Sequence, residues 1–150
     1  MEMQATALYI QKLDPRAILP VRSTPESAGV DLHALLDEPL TLEPMGRACI
    51  PTGIAVGLPA GSVGLVFARS GLAVKHGLAL SNGVGVIDRD YTGEIRVGLV
   101  NLAPEAYTIE PGERIAQLAV MPVWFPTLQE VDILEETVRG AGGFGSTGRK

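Results

Sequence analysis

NGVGVIDRDYTGEIRV, residues Asn82–Val97, is the stretch whose reading decides the fold. Two apolar arms, Val84–Ile87 and Ile95–Val100, flank a polar turn running from Asp88 to Glu94. Val and Ile favour a pleated strand and Asp-plus-Gly supplies turn chemistry, so the segment predicts a β-hairpin. A hairpin needs no more than a short Asn-Gly or Asp-Gly turn. This one carries Asp88, Asp90 and Tyr91 at its mouth, more polar chemistry than folding requires. Acidic turn residues are usually solvated and a strand tyrosine often just packs, so the meaning of the turn depends on its neighbours in the chain.

Upstream, Ser62–Ala68 is an apolar strand that stops abruptly at Arg69-Ser70-Gly71. Leu72–His76 then predicts a short helix, with Ser70 as N-cap and Gly77 as its stop. An arginine, a hydroxyl and a helix N-terminus together suit a phosphate; ordinary capping beside a surface Arg69 explains them equally well. Earlier still, Ala28–Ala34 alternates Val30, Leu32 and Ala34 with Asp31 and His33, which puts the polar pair on the opposite face. The structural reading makes Asp31 a solvent-facing strand residue. It makes His33 a surface or interface histidine, since no second histidine stands at metal-ligand spacing. Further strands are predicted in Ala5–Leu13, over Leu40–Leu42, Ala48–Ile50 and Gly53–Leu58, and downstream over Tyr107–Ile109. Arg114–Pro122 breaks strict alternation and predicts a bulged strand buried on both faces. Gln117 inside it must find partners, either backbone or a ligand. Trp124 and Phe125 read as packing residues, and Val131–Leu134 as a last strand.

The whole composition limits what this pattern can mean. A net charge of −5 argues against a nucleic-acid surface and suits a small anionic ligand held by a few arginines. Cys49 is the single cysteine, so an intrachain disulfide is excluded; it reads as a buried small hydrophobe. No signal-peptide pattern is present and no apolar run approaches the roughly 18 residues of a membrane span, which points to the cytoplasm. With 18 glycines and 11 prolines in 150 residues the chain turns often, well above the roughly 12% usual for that pair. Frequent turns between short apolar runs predict an all-β sandwich, jelly roll or barrel. Residues 1–138 are expected to form one such domain, and 139–150 a flexible glycine-rich arm. Gly140, Gly142 and Gly145 match G-x-G-x-x-G, but only five residues follow, too few for the helix a dinucleotide site needs. Arg139 and Phe144 are unusual in a mere linker. They suit a segment that closes over a ligand, with Phe on a flat ring and Arg on phosphate.

Five separated stretches, AGVDLHA, RSGLA, NGVGVIDRDYTGE, RIAQL and RGAGGFGSTG, occur in this order. In that order they resemble the five motifs of the trimeric dUTP pyrophosphatases (dUTPases). One departure is Ala68, where the family usually has Pro before Arg-Ser-Gly. The resemblance implies a jelly-roll-like β domain in a homotrimer, with three active sites shared between subunits. It implies hydrolysis of dUTP to dUMP and pyrophosphate with Mg2+. Asp88 then looks like the base that activates water, and Tyr91 like the ring that packs on deoxyribose and excludes a 2′-hydroxyl. Asn82, Gly83 and the backbone through Val86 and Ile87 look like the uracil reader. Arg69, Ser70, Gly71 and Gln117 look like phosphate-chain contacts. Asp31 looks like a residue that orients water on magnesium. Arg139 looks like a γ-phosphate contact, Phe144 like a lid on uracil, and Gly145 and Ser146 like further substrate contacts. Two other readings share the fold: a dCTP deaminase-like enzyme, which would release ammonia from dCTP, and a nucleotide-binding trimer without turnover.

Overall fold

In the computed structural model, which describes residues 7–145, short alternating runs become eleven strands and one helix. They are β1 (Tyr9–Lys12), β2 (Gly29–His33), β3 (Leu40–Leu42), β4 (Arg47–Pro51), β5 (Ile54–Gly57), β6 (Ser62–Phe67), α1 (Ser70–His76), β7 (Leu78–Leu80), β8 (Gly85–Ile87), β9 (Arg96–Asn101), β10 (Tyr107–Ile109) and β11 (Arg114–Pro122). A four-stranded sheet runs β2-β11-β6-β8 and a three-stranded sheet runs β4-β9-β7. Two further antiparallel pairs, β1 with β5 and β3 with β10, complete an all-β, jelly-roll-like body. Period-two patterning explains the layering: in β9 Val97, Leu99 and Asn101 are buried while Arg96, Gly98 and Val100 are not. Leu32, Ile50, Leu99, Ile109, Ile115 and Leu118 lie in the core at 1% exposure or less. Asn101 is buried without loss because its amide donates to Leu42 O (2.9 Å) and Glu105 O (2.8 Å) and accepts from the Ala103 N–H (2.9 Å).

The expected hairpin does not form. β8 pairs with β6, and β9 lies between β4 and β7 in the other sheet. Residues 88–94 therefore cross from one sheet to the other. Ile87 and Ile95 are both buried. The Ile95 N–H bonds to Ile54 O (2.8 Å), and the Thr52 hydroxyl donates to Ile95 O (2.5 Å). These bonds hold Ile95 beside β5 and away from β8, just ahead of the point where β9 enters the β4-β9-β7 sheet.

Other expectations are corrected by burial. Ser70 is the first residue of α1, not its cap; Arg69 holds the N-cap position and no side chain caps the helix. Gly77 does end it, at φ 68, with its N–H on Ala73 O. β7 was not foreseen, because Leu78-Ala79-Leu80 is only three residues long and carries neither β-branched nor aromatic side chains. Cys49 is exposed, since β4 turns Ile50 into the core and Cys49 outward. The β11 bulge is present, between Arg114 and Ala116. Val131–Leu134 is not a strand, and beyond Pro122 the described residues hold no strand or helix. Trp124 and Phe125 do not pack in this chain: they are 90% and 72% exposed.

Tyr107 ties β10 to the turn before β11. Its hydroxyl donates to the Glu113 carboxylate, and burial, reinforced by that carboxylate, raises the phenol from 10.0 to about 12. A raised phenol stabilises the fold fully below its unfolded value, and that contribution is lost as pH rises through the folded one. Tyr107→Phe should therefore lower Tm at pH 9, and the gap to the parent should shrink between pH 10 and 12. Thermal melts across that range check it; a gap independent of pH would show that the pair does not titrate this way.

Candidate active site

The order of the four-stranded sheet collects four of the five motifs. In register, Asp31 on β2 faces Gln117 on β11, and Gln117 faces Phe67 at the end of β6. Val66 faces Gly85 on β8. Strands lie roughly 4.8 Å apart, so Asp31, Gln117, the Arg69 turn and the Asn82 turn lie within roughly 15 Å across one end of the sheet.

At the β2 side, Asp31 is 7% exposed, which overturns its reading as a solvent-facing residue. Its Oδ1 accepts from Arg69 Nε (3.0 Å) and its Oδ2 from Arg114 Nη1 (3.2 Å). Arg69 also donates from Nη1 to Arg114 O (3.2 Å). The Arg69 guanidinium is thereby held through Nε and Nη1, while Nη2 has no partner among the described residues. Arg114 was missed by sequence reasoning. The available signal was its position opening RIAQL, on the strand that pairs with β2. Gln117 bonds backbone, Nε2 to Ala68 O (3.0 Å), and so fixes the chain just before Arg69. Gly29 makes room for that amide, since a Cβ there would come 2.6 Å from Gln117 Oε1. Next to this cluster His33 is half-buried rather than on the open surface. Its Nδ1 has no partner among the described residues, and burial pushes the imidazole below its usual range.

At the β8 side a cleft of about 290 Å3 opens. Asn82, Val86, Ile87, Asp88 and Tyr91 line it as anticipated; Gly83 does not. Leu80, Glu94, Ile95, Arg96 and Gly98 also line it and were not anticipated. The missing hairpin is the reason for this cleft. Because β8 and β9 part into different sheets, the gap that cross-strand hydrogen bonds would have closed stays open. β8 is an edge strand and presents unpaired N–H and C=O groups on its outer side. The loop is stiffened from within: the Tyr91 hydroxyl donates to Glu94 O (2.8 Å) and the Tyr91 N–H to Asp88 O (3.1 Å). Glu94 in turn accepts from the Gly53 N–H (3.0 Å) and from Arg96 (3.3 Å). Asp88 is exposed, and among the described residues its carboxylate has no hydrogen bond or ion pair. The Asp31 and Glu94 carboxylates, by contrast, are both engaged.

Among the described residues of the arm, 139–145, none lines this cleft. Arg139 Nε bonds to Gly142 O (2.7 Å), and Phe144 is fully exposed. Gly145 adopts φ 91, which only glycine takes readily. Gly71 and Ser70 are exposed at the start of α1. Ser146 lies outside the described residues.

The chain matches the family model for dUTPase over residues 15–148. It belongs to the dUTPase family. It is 54% identical over 141 residues to a deoxyuridine 5'-triphosphate nucleotidohydrolase of Desulfitobacterium hafniense, covering 93% of each chain. With the enzyme of that description from Xanthomonas campestris pv. campestris it shares 48% over 147 residues, 95% of this chain and 97% of the other. Among solved structures it superposes on a variant dUTPase of Staphylococcus bacteriophage 80alpha with dUpNHpp, at TM-score 0.87 and 32% identity, over 97% of this chain and all of that one. A variant dUTPase of phage phi11, described as coordinating a structural Mg(II) ion, matches at TM-score 0.78 and 29% identity over 87% of this chain and 100% of that one. The chain is thus an enzyme of nucleotide metabolism, a dUTP nucleotidohydrolase. The dUTPase fold here is the mostly β body with one short helix that the motifs implied.

Proposed function

We propose that the chain hydrolyses dUTP to dUMP and pyrophosphate by attack of water on the α-phosphate, with Asp88 as the base. What carries this reading is the unpaired, exposed Asp88 carboxylate at the edge of a cleft walled by Tyr91 and by edge-strand backbone. A general base must be free to accept a proton and within hydrogen-bond reach of the water. Backbone groups of β8 suit a uracil ring, because fixed N–H and C=O positions reject the reversed donor pattern of cytosine. Such a mismatch leaves unpaired groups and discriminates by roughly 10⁴ or more. Tyr91 beside Asp88 suits the deoxyribose. Arg69, held by Asp31, and Ser70 suit the phosphate chain.

Magnesium fits as an ion carried by the substrate phosphates, where it would offset the charge of the leaving pyrophosphate. Among the described residues there is no group of three His, Cys, Asp or Glu side chains placed to cage a metal. Asp31 would serve the ion only through water, because both its oxygens already accept from guanidinium groups.

We further read the arm as the part that completes the site between copies of the chain, in a homotrimer acting in the cytoplasm and supplying dUMP for thymidylate. Leu128, Ile133, Leu134 and Val138 are each at least 80% exposed, an apolar series without cover in its own chain. Phe144→Ala should lower kcat/KM for dUTP roughly 10-fold or more, by loss of a stacking lid. Because Phe144 touches no core, Tm should hold to within about 2 °C, as for other surface changes; a large Tm loss would show a packing role.

The direct test is pyrophosphate release from each deoxynucleoside triphosphate with magnesium. Release from dUTP alone supports the reading. Ammonia from dCTP, or tight dUTP binding without turnover, overturns it.

A further inference from the structure

We propose that Gly93 is a positioning residue for Tyr91: the ring rests on the face of a residue that has no Cβ, and this seat sets the room left for the sugar. A Cβ at Gly93 would stand 2.7 Å from Tyr91 Oη, 2.8 Å from Cζ and 3.0 Å from Cε2. Carbon contacts are comfortable only from about 3.5 Å, so a single methyl would drive the ring off by roughly 0.7 Å or more. Backbone conformation does not demand this glycine. Gly53, Gly61, Gly77, Gly83 and Gly112 have positive φ, and Gly93 does not. Alanine would be tolerated there by the chain and refused only by the ring.

The ring has little freedom to yield harmlessly. Its hydroxyl is tethered to Glu94 O, and Glu94 is itself held by the Gly53 N–H and Arg96. Tyr91 lines the cleft and Gly93 does not, so a change at position 93 reaches the cleft through the ring. A methyl at position 93 therefore shifts the ring from the seat that sets the sugar's space. This inference rests on the reading of Tyr91 as the surface against which the deoxyribose packs.

The test is a double-mutant cycle on Gly93→Ala and Tyr91→Ala, read as KM and kcat for dUTP and as the preference for dUTP over UTP. Gly93→Ala alone should raise KM roughly 10-fold, with kcat changed less, since a displacement near 1 Å has effects of that order or larger. In the Tyr91→Ala background the same change should alter KM less than 2-fold, because the ring it collides with is gone. Equal effects in both backgrounds, or no effect in the parent, overturns the inference while leaving Tyr91 in its role. A Tyr91→Ala variant with unchanged KM and unchanged preference overturns the sugar reading itself, and the inference with it. Should Gly93→Ala fold poorly, recovery of Tm in the double variant supports the collision, and failure of both variants to fold overturns it.

Discussion

Asp88→Asn is expected to lower kcat for dUTP by about 10²–10⁴ and to leave KM within a few-fold, the range for removing a positioned general base. Asparagine keeps the size and the acceptor oxygen but cannot take a proton from water at neutral pH. The loop should keep its shape. The bond from the Tyr91 N–H runs to the Asp88 main-chain carbonyl, which the substitution does not touch. The side chain is exposed, so stability should stay within about 0.5 kcal/mol. Saturating pyrophosphate-release rates on parent and variant decide the point. A variant that turns over dUTP at the parent rate would move the base elsewhere, with the exposed Asp90 the next carboxylate to test.

Asp31→Ala is expected to have the largest effect on stability. The carboxylate is buried between two guanidinium groups, at 3.0 and 3.2 Å. Without it two like charges face each other at the end of the sheet, and Arg69 loses the contact that orients it. Breaking a fully buried pair costs roughly 3–5 kcal/mol. Here the Arg69 and Arg114 side chains keep 27% and 49% exposure, so solvent screens part of the repulsion and about 2–3 kcal/mol is expected. Removing Arg114 as well should return part of this, because one uncompensated charge goes with it. Urea unfolding of Asp31→Ala and of Asp31→Ala/Arg114→Ala measures both steps. A loss under 1 kcal/mol would mean the cluster is solvated in solution. The single variant should also turn over dUTP more slowly, since Arg69, the proposed phosphate contact, is no longer held.

Much of the local structure was legible from residue pattern. β3, β10 and β11 fall on the runs expected, Gly77 ends α1, and the bulge near Ala116 sits where alternation broke. These features depend on neighbours within a few residues, where propensity and turn chemistry act directly. Cys49 went wrong although its strand was right, because a strand of known position still has two faces. Trp124 and Phe125 went wrong because apolar character drives burial somewhere, and a single chain does not have to supply the cover. The candidate site divides the same way. Asp88, Tyr91 and Asn82 were picked out because the turn holds more chemistry than folding needs. Arg114 and the far wall of the cleft, Ile95 to Gly98, were not: Arg114 reads locally as no more than the start of a strand, and the hairpin reading closed the second arm against β8 where the structure leaves a gap.

The sequence by itself determined the strand-rich class, many of the turn positions, and, through five ordered motifs, the family. Only the tertiary structure decided which strands pair. Ile87 and Ile95 carry equal strand propensity and both needed burial, but Ile87 pairs with Gly64 on β6 while Ile95 donates to Ile54 O and accepts from the Thr52 hydroxyl, just ahead of β9. That choice left the cleft open. It depends on partners distant in sequence, and local propensity carries no information about them.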